Sequence, residues 1–149
     1  MDAHVWVTRK MKLSRRQVLL ATGATVLPVS LFGATTQVTL QPRPTVAKIG
    51  QHRLEMLGFN GSVPGPEIRL RQNEKLNVQV ENGLDDGTLV HWHGIRLPNA
   101  MDGVNVLTQD PIAPGDVFNY RFSVPDAGTY WYHSHYLSYD QVSRGLFGP

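Results

Sequence analysis

Residues 75–82 read KLNVQVEN, and this stretch decides the fold. Leu76, Val78 and Val80 take every second position, with Asn77, Gln79 and Glu81 between them. Successive side chains of an extended chain point to opposite faces, so the pattern is a strand with one apolar and one wet face. Residues 117–124, VFNYRFSV, repeat it: Phe118, Tyr120, Phe122 and Val124 alternate with Asn119, Arg121 and Ser123. Four more segments are strand candidates: HRLEMLGFNG (52–61), PEIRL (66–70), GTLVHWHG (87–94) and GTYWYHSH (128–135). Turn signals separate them at Asn60-Gly61, Pro64-Gly65-Pro66, Asp85-Asp86-Gly87, Pro114-Gly115-Asp116 and Asp126-Ala127-Gly128. Residues 37–50, with Pro42 and Pro44, read as an extended lead-in. No convincing helical period follows residue 34, so the expected class is all-β, a sandwich or barrel. The final GLFGP stands where a sandwich expects another strand, so a C-terminal strand is expected to be missing.

The chain has 149 residues and no cysteine. That length allows one domain with a real core. The absence of thiols excludes disulfides, cysteine nucleophiles, Cys-based zinc sites and a blue-copper centre within these residues. Charge is divided unevenly. Residues 1–34 hold five Lys/Arg against one acid, whereas the rest holds nine against eleven. The basic balance therefore belongs to the leader, and the body has no basic run of the kind that binds nucleic acid.

The leader, KLSRRQVLLATGATVLPVSLFGATTQ (12–37), places Ser14-Arg15-Arg16 before an apolar stretch from Val18 to Phe32. That stretch is 15 residues long, short of the roughly 20 that span a bilayer as a helix. Small and polar residues follow it. This is signal-peptide anatomy, and the paired arginines resemble a twin-arginine signal. Export is therefore expected, with residues 1–34 as the leader. The alternatives are a buried helix or an uncleaved anchor.

Four of the six histidines occur as two His-X-His pairs, His91/His93 and His133/His135. On a strand, residues i and i+2 share a face, roughly 6.5–7 Å apart. If the two strands are neighbours, four imidazoles meet on one patch. A lone pair of this kind is an ordinary structural feature. Four buried neutral histidines, however, would each need partners for their ring nitrogens. Metal binding is the better expectation. Imidazoles without thiolate suit several metals, with copper or zinc first for an exported protein. Trp92, Tyr130, Trp131 and Tyr132 are expected on the opposite faces, in the core. Asp102 is either a plain turn residue in Asp102-Gly103 or a carboxylate that orients a ligand and supplies protons. His4 falls in the leader, and His52 is expected in solvent.

The residues that carry these motifs resemble a known family. FNGSVPGPEIRLRQNEKLNVQVENGL (59–84), HWHGIRLPNAMDGV (91–104), LTQDPIAPGDVFNYRFSVPDAGTYWYHSH (107–135) and QVSRGLFGP (141–149) occur in the order and spacing of the N-terminal plastocyanin-like (cupredoxin) domain of multicopper oxidases. The resemblance runs from about residue 45 to 149. Its wording is most similar to bacterial periplasmic laccase-like and copper-resistance oxidases. It implies a cupredoxin-like Greek-key β-sandwich over residues 35–149. It also implies half the ligands of a trinuclear copper cluster: His91 on the type-2 copper, His93 and His133 sharing one type-3 copper, and His135 on the other. Asp102 matches an acidic residue associated with proton delivery during O2 reduction. The remaining ligands and the type-1 cysteine come from a later domain in the family. Residues 1–149 are therefore not expected to run the family reaction unaided. The implied partners are the other cupredoxin domains of the same oxidase or a complementary chain, with O2 and a small reductant such as a phenolic compound or cuprous ion. Asn73-Glu74 stands where Gly-Asp is common, and Asn105 where Pro is common. A stand-alone exported copper-sequestering protein and a split oxidase are the alternatives. A zinc hydrolase, which needs three histidines and an open position, is a more remote one.

Overall fold

A computed structural model describes residues 35–149, and the expected leader at 1–34 lies outside the described residues. The strands are β1 (Thr35–Leu40), β2 (Pro42–Ile49), β3 (His52–Phe59), β4 (Lys75–Glu81), β5 (Val90–His93), β6 (Val117–Ser123), β7 (Trp131–Ser134) and β8 (Phe147–Gly148). One sheet has the order β1-β4-β6, a second β5-β7-β8, and β2 and β3 form a hairpin.

The alternation in β4 and β6 places the core. Leu76, Val78 and Val80 are buried, as are Tyr120, Phe122 and Val124. The register Val78↔Tyr120 and Leu76↔Phe122 stacks these side chains on one face. Val90, Trp92 and Tyr132 meet them from the second sheet. The Trp92 ring lies 5.6 Å from that of Tyr120 and 5.1 Å from that of Phe122. Each such side chain removed from water contributes about 1.5–3 kcal/mol, so the inward-facing rows hold the two sheets together.

Three expectations change. The lead-in is strand: β1 runs parallel to β4 with Val38↔Val78 and Leu40↔Val80, and β2 pairs with β3. Pro42 and Pro44 are tolerated because β2 has a neighbour on one side only. PEIRL is extended but belongs to no ladder. The prolines at 64 and 66 have no N–H to offer there, and two separate bonds hold the segment, from the Gly65 N–H to the Phe147 carbonyl (2.8 Å) and from the Ile68 N–H to the Pro149 carbonyl (3.1 Å). GLFGP itself supplies β8, whose Phe147 and Gly148 pair with His133 and Tyr132. A 3-10 turn at Asn99–Met101 and a single-turn helix at Ser138–Gln141 complete the described residues. Both are shorter than any periodicity can reveal. His52 is exposed, as expected.

Candidate metal centre

β5 and β7 run antiparallel in the register Val90↔Ser134, His91↔His133, Trp92↔Tyr132 and His93↔Trp131. Directly opposed residues share a face, so the two His-X-His pairs converge. His91 sits at the centre, with its ring 5.6 Å from that of His93, 5.3 Å from that of His133 and 5.2 Å from that of His135. His91, His93 and His133 each offer a nitrogen within 4.8 Å of the others. His135 lies one residue past β7, its ring 6.1 Å from that of His133, and is not part of that tighter set.

Local hydrogen bonds settle which nitrogen His91 and His133 present. His91 donates from Nδ1 to the Asp102 carbonyl at 2.8 Å, and the Asp102 carboxylate lies 3.2 Å from the same nitrogen. His133 donates from Nδ1 to the Ser134 carbonyl at 2.9 Å. Both rings thereby keep Nε2 as the unprotonated nitrogen, which is how a partner on the other nitrogen prepares a metal ligand. Burial holds the His133 imidazole below its ordinary pKa, and the charges of His91, His93 and His135 push the same way, against the Ser134 hydrogen bond. A neutral imidazole is the form that binds metal.

The separation of His93 Nδ1 from His133 Nε2 tests the fit, at 3.3 Å. With a nitrogen–metal distance of about 2.0–2.1 Å, two ligands at a tetrahedral angle stand about 3.3–3.4 Å apart. The separation, which is also that of a hydrogen-bond contact between the two rings, therefore matches the spacing of two ligands on one ion. The donors are all nitrogen, a set that suits copper, zinc, iron or nickel.

Asp102 reaches His91 through a glycine. The 3-10 turn closes with N–H bonds from Met101 to the Pro98 carbonyl (2.8 Å) and from Asp102 to the Asn99 carbonyl (3.1 Å). Gly103 follows at φ +70°, so close to β5 that a Cβ would lie 1.9 Å from the Val90 carbonyl oxygen. Only glycine lets this loop lie against the strand. Asp102 is thus both a turn residue and the partner of His91. The Asp-Gly pair was the signal in the sequence, and the closeness of the approach was not readable from it.

One expectation about the aromatics is corrected. Trp92 and Tyr132 are core residues, as expected. Trp131 is not: two residues before His133, it shares the histidine face. Its ring lies 4.1 Å from that of His133 and 5.1 Å from that of His93, and 40% of the residue remains exposed. Tyr130 is half-buried at the edge.

Residues 42–149 match the family model described as "Multicopper oxidase". The chain is 43% identical over 122 residues to a copper resistance protein A homolog of Pseudomonas syringae pv. tomato, an alignment covering 82% of this chain and 20% of the relative. It is 47% identical over 117 residues to the multicopper oxidase MmcO of Mycobacterium tuberculosis, covering 78% and 23%. A multi-copper oxidase from Pseudomonas thermotolerans superposes with a TM-score of 0.76 at 43% identity, covering 78% of this chain and 29% of that one. The chain thus spans about a fifth of the length of these curated relatives.

Proposed function

The chain belongs to the multicopper oxidase family and has its cupredoxin-like fold, and from that premise we propose that its four histidines supply half of a trinuclear copper site. His91 takes the type-2 position, His93 and His133 share one type-3 position, and His135 takes the other. The remaining ligands come from further cupredoxin domains of the same oxidase or from a complementary chain. Copper held there supplies one-electron chemistry for reducing O2 to water at the expense of a small reductant, a phenolic compound or cuprous ion.

The work of these residues is to hold and orient. The observation that carries the reading is the His91↔His133 register with its 3.3 Å gap between His93 Nδ1 and His133 Nε2. Asp102 keeps His91 in one tautomer through its carbonyl, and its half-exposed carboxylate is placed to hold or pass a proton at His91 Nδ1. Trp131 shields the outer side of the His93/His133 pair. Residues 1–34 act as a twin-arginine-type leader, which would place the protein in the periplasm.

Two measurements test the proposal. Cu(II) titration of the 149-residue chain is expected to show tight binding that His91→Ala/His133→Ala abolishes; unchanged affinity would end it. The intact mass of the protein from the exported fraction then separates the alternatives. A mass well above that of the mature short chain, with cysteine-containing peptides and O2 consumption, supports the oxidase reading. A mass matching the short chain favours copper sequestration or a split oxidase.

A further inference from the structure

On the side of the β5–β7 pair away from the histidines lies a closed polar network. Thr88 and Ser134 are fully buried and Gln141 is 2% exposed. The Gln141 Oε1 accepts from the Thr88 hydroxyl at 3.0 Å and from the Ser134 hydroxyl at 2.5 Å. Its Nε2 donates to the Gly87 carbonyl at 2.8 Å. The Ser134 Oγ in turn accepts the Tyr136 N–H at 3.3 Å.

The positions of these residues give the network its meaning. Gly87 and Thr88 lead into β5, which carries His91 and His93. Ser134 stands between His133 and His135, and is the cross-strand partner of Val90. One carboxamide therefore holds both His-X-His segments at the same end of the pair. The Tyr136 bond fixes the chain on the far side of His135, the ligand candidate that lies outside β7. Burial makes the arrangement specific: every alternative placement of these strands leaves hydroxyls or carbonyls without partners in a region water does not reach. The side chains of the network lie beneath the imidazoles, and its one link to a ring is the Ser134 carbonyl, which accepts from His133 Nδ1 at 2.9 Å.

We infer that Gln141 is a positioning residue for the four-histidine face, setting the relative placement of the two His-X-His segments from below. The inference rests on the copper-ligand reading given above. Gln141 acts through Thr88 and Ser134 on the backbone, so its removal distorts the geometry of bound copper without removing a ligand.

The test uses the full chain and Cu(II) alone. In Gln141→Leu, affinity is expected to fall about 10- to 100-fold, the range for lost outer partners of metal ligands, with an altered Cu(II) EPR hyperfine pattern. Ser134→Ala and Thr88→Val, which each remove one arm, should shift the same signal in part. Val78→Ala, a core change on β4 in the other sheet, should lower the melting temperature while leaving affinity and EPR as in the wild type. Wild-type EPR and affinity in folded Gln141→Leu would overturn the inference, as would an equal loss in Val78→Ala. Should Gln141→Leu fail to fold, Ser134→Ala and Thr88→Val decide on the same terms. Wild-type binding that survives His91→Ala/His133→Ala refutes the ligand reading instead, and this inference with it.

Discussion

Gly103→Ala puts the loop that carries Asp102 under a defined load. The new Cβ would lie 1.9 Å from the Val90 oxygen and 2.6 Å from its carbonyl carbon. Both atoms are β5 backbone, so no side chain can swing aside. A φ of +70° adds the left-handed penalty, about 1–2 kcal/mol for a residue with a Cβ, and overpacking of this kind adds roughly 1–3 kcal/mol. The sum is about 2–5 kcal/mol. Gly115→Ala isolates the first contribution: its φ is +80° and nothing lies within 4 Å of the added Cβ. It should lose only about 1–2 kcal/mol. Thermal unfolding of both variants measures the difference. Gly115→Ala is expected to melt several degrees lower, and Gly103→Ala on the order of 10 °C or more. Because the loop must withdraw from β5, Gly103→Ala should also weaken Cu(II) binding about tenfold, through the lost Asp102 hold on His91. Equal melting shifts in the two variants would refute the steric argument. A full-sized shift with unchanged copper affinity would refute the link to His91.

Three further outcomes are expected. In the chain without residues 1–34, which hold Trp6, Trp131→Phe should remove most of the tryptophan fluorescence quenching that accompanies Cu(II) addition, since Trp92 packs in the core away from the histidines; quenching equal to wild type would place the metal elsewhere. Tyr120→Phe takes away the hydroxyl that accepts the Val90 N–H at 3.1 Å, and chemical denaturation should show a loss of about 1–3 kcal/mol for that buried orphan. His133 has a folded pKa below its unfolded one, so the unfolded state binds the proton first as pH falls. Stability should therefore decline below about pH 6.5, and His133→Asn should flatten that limb of the melting-temperature profile; a slope that persists unchanged assigns the effect to other groups.

What the sequence disclosed follows from period. Strict alternation over 75–82 and 117–124 shows which side chains face inward, and the structure buries them. The two His-X-His pairs shared a face by the same rule, and their meeting depended on a strand pairing that no local pattern encodes. Trp131 obeys the same rule, since its position two residues before His133 puts it on the histidine side. β1 is not legible in the sequence because Thr35, Thr36 and Gln37 dilute its alternation, and its partner β4 is remote in sequence. The hold of Asp102 on His91 and the network of Gln141 were invisible for a different reason. Each is a contact between segments brought together only by the finished sandwich.

The two halves of the histidine face also differ in when they come into being. Within each half, two imidazoles one residue apart can chelate a metal ion in any extended chain, folded or not. The fourfold arrangement exists only after segments some forty positions apart have paired, a slow, non-local step in folding. On the ligand reading proposed above, copper present before that step would have two small chelates to occupy and no correct site. It would then stabilise open chains and tie mismatched strands together, since binding to the unfolded state offsets the gain on folding. Refolding without metal, followed by copper, should recover more native protein than refolding in its presence, which makes metal delivery a matter of timing as well as affinity.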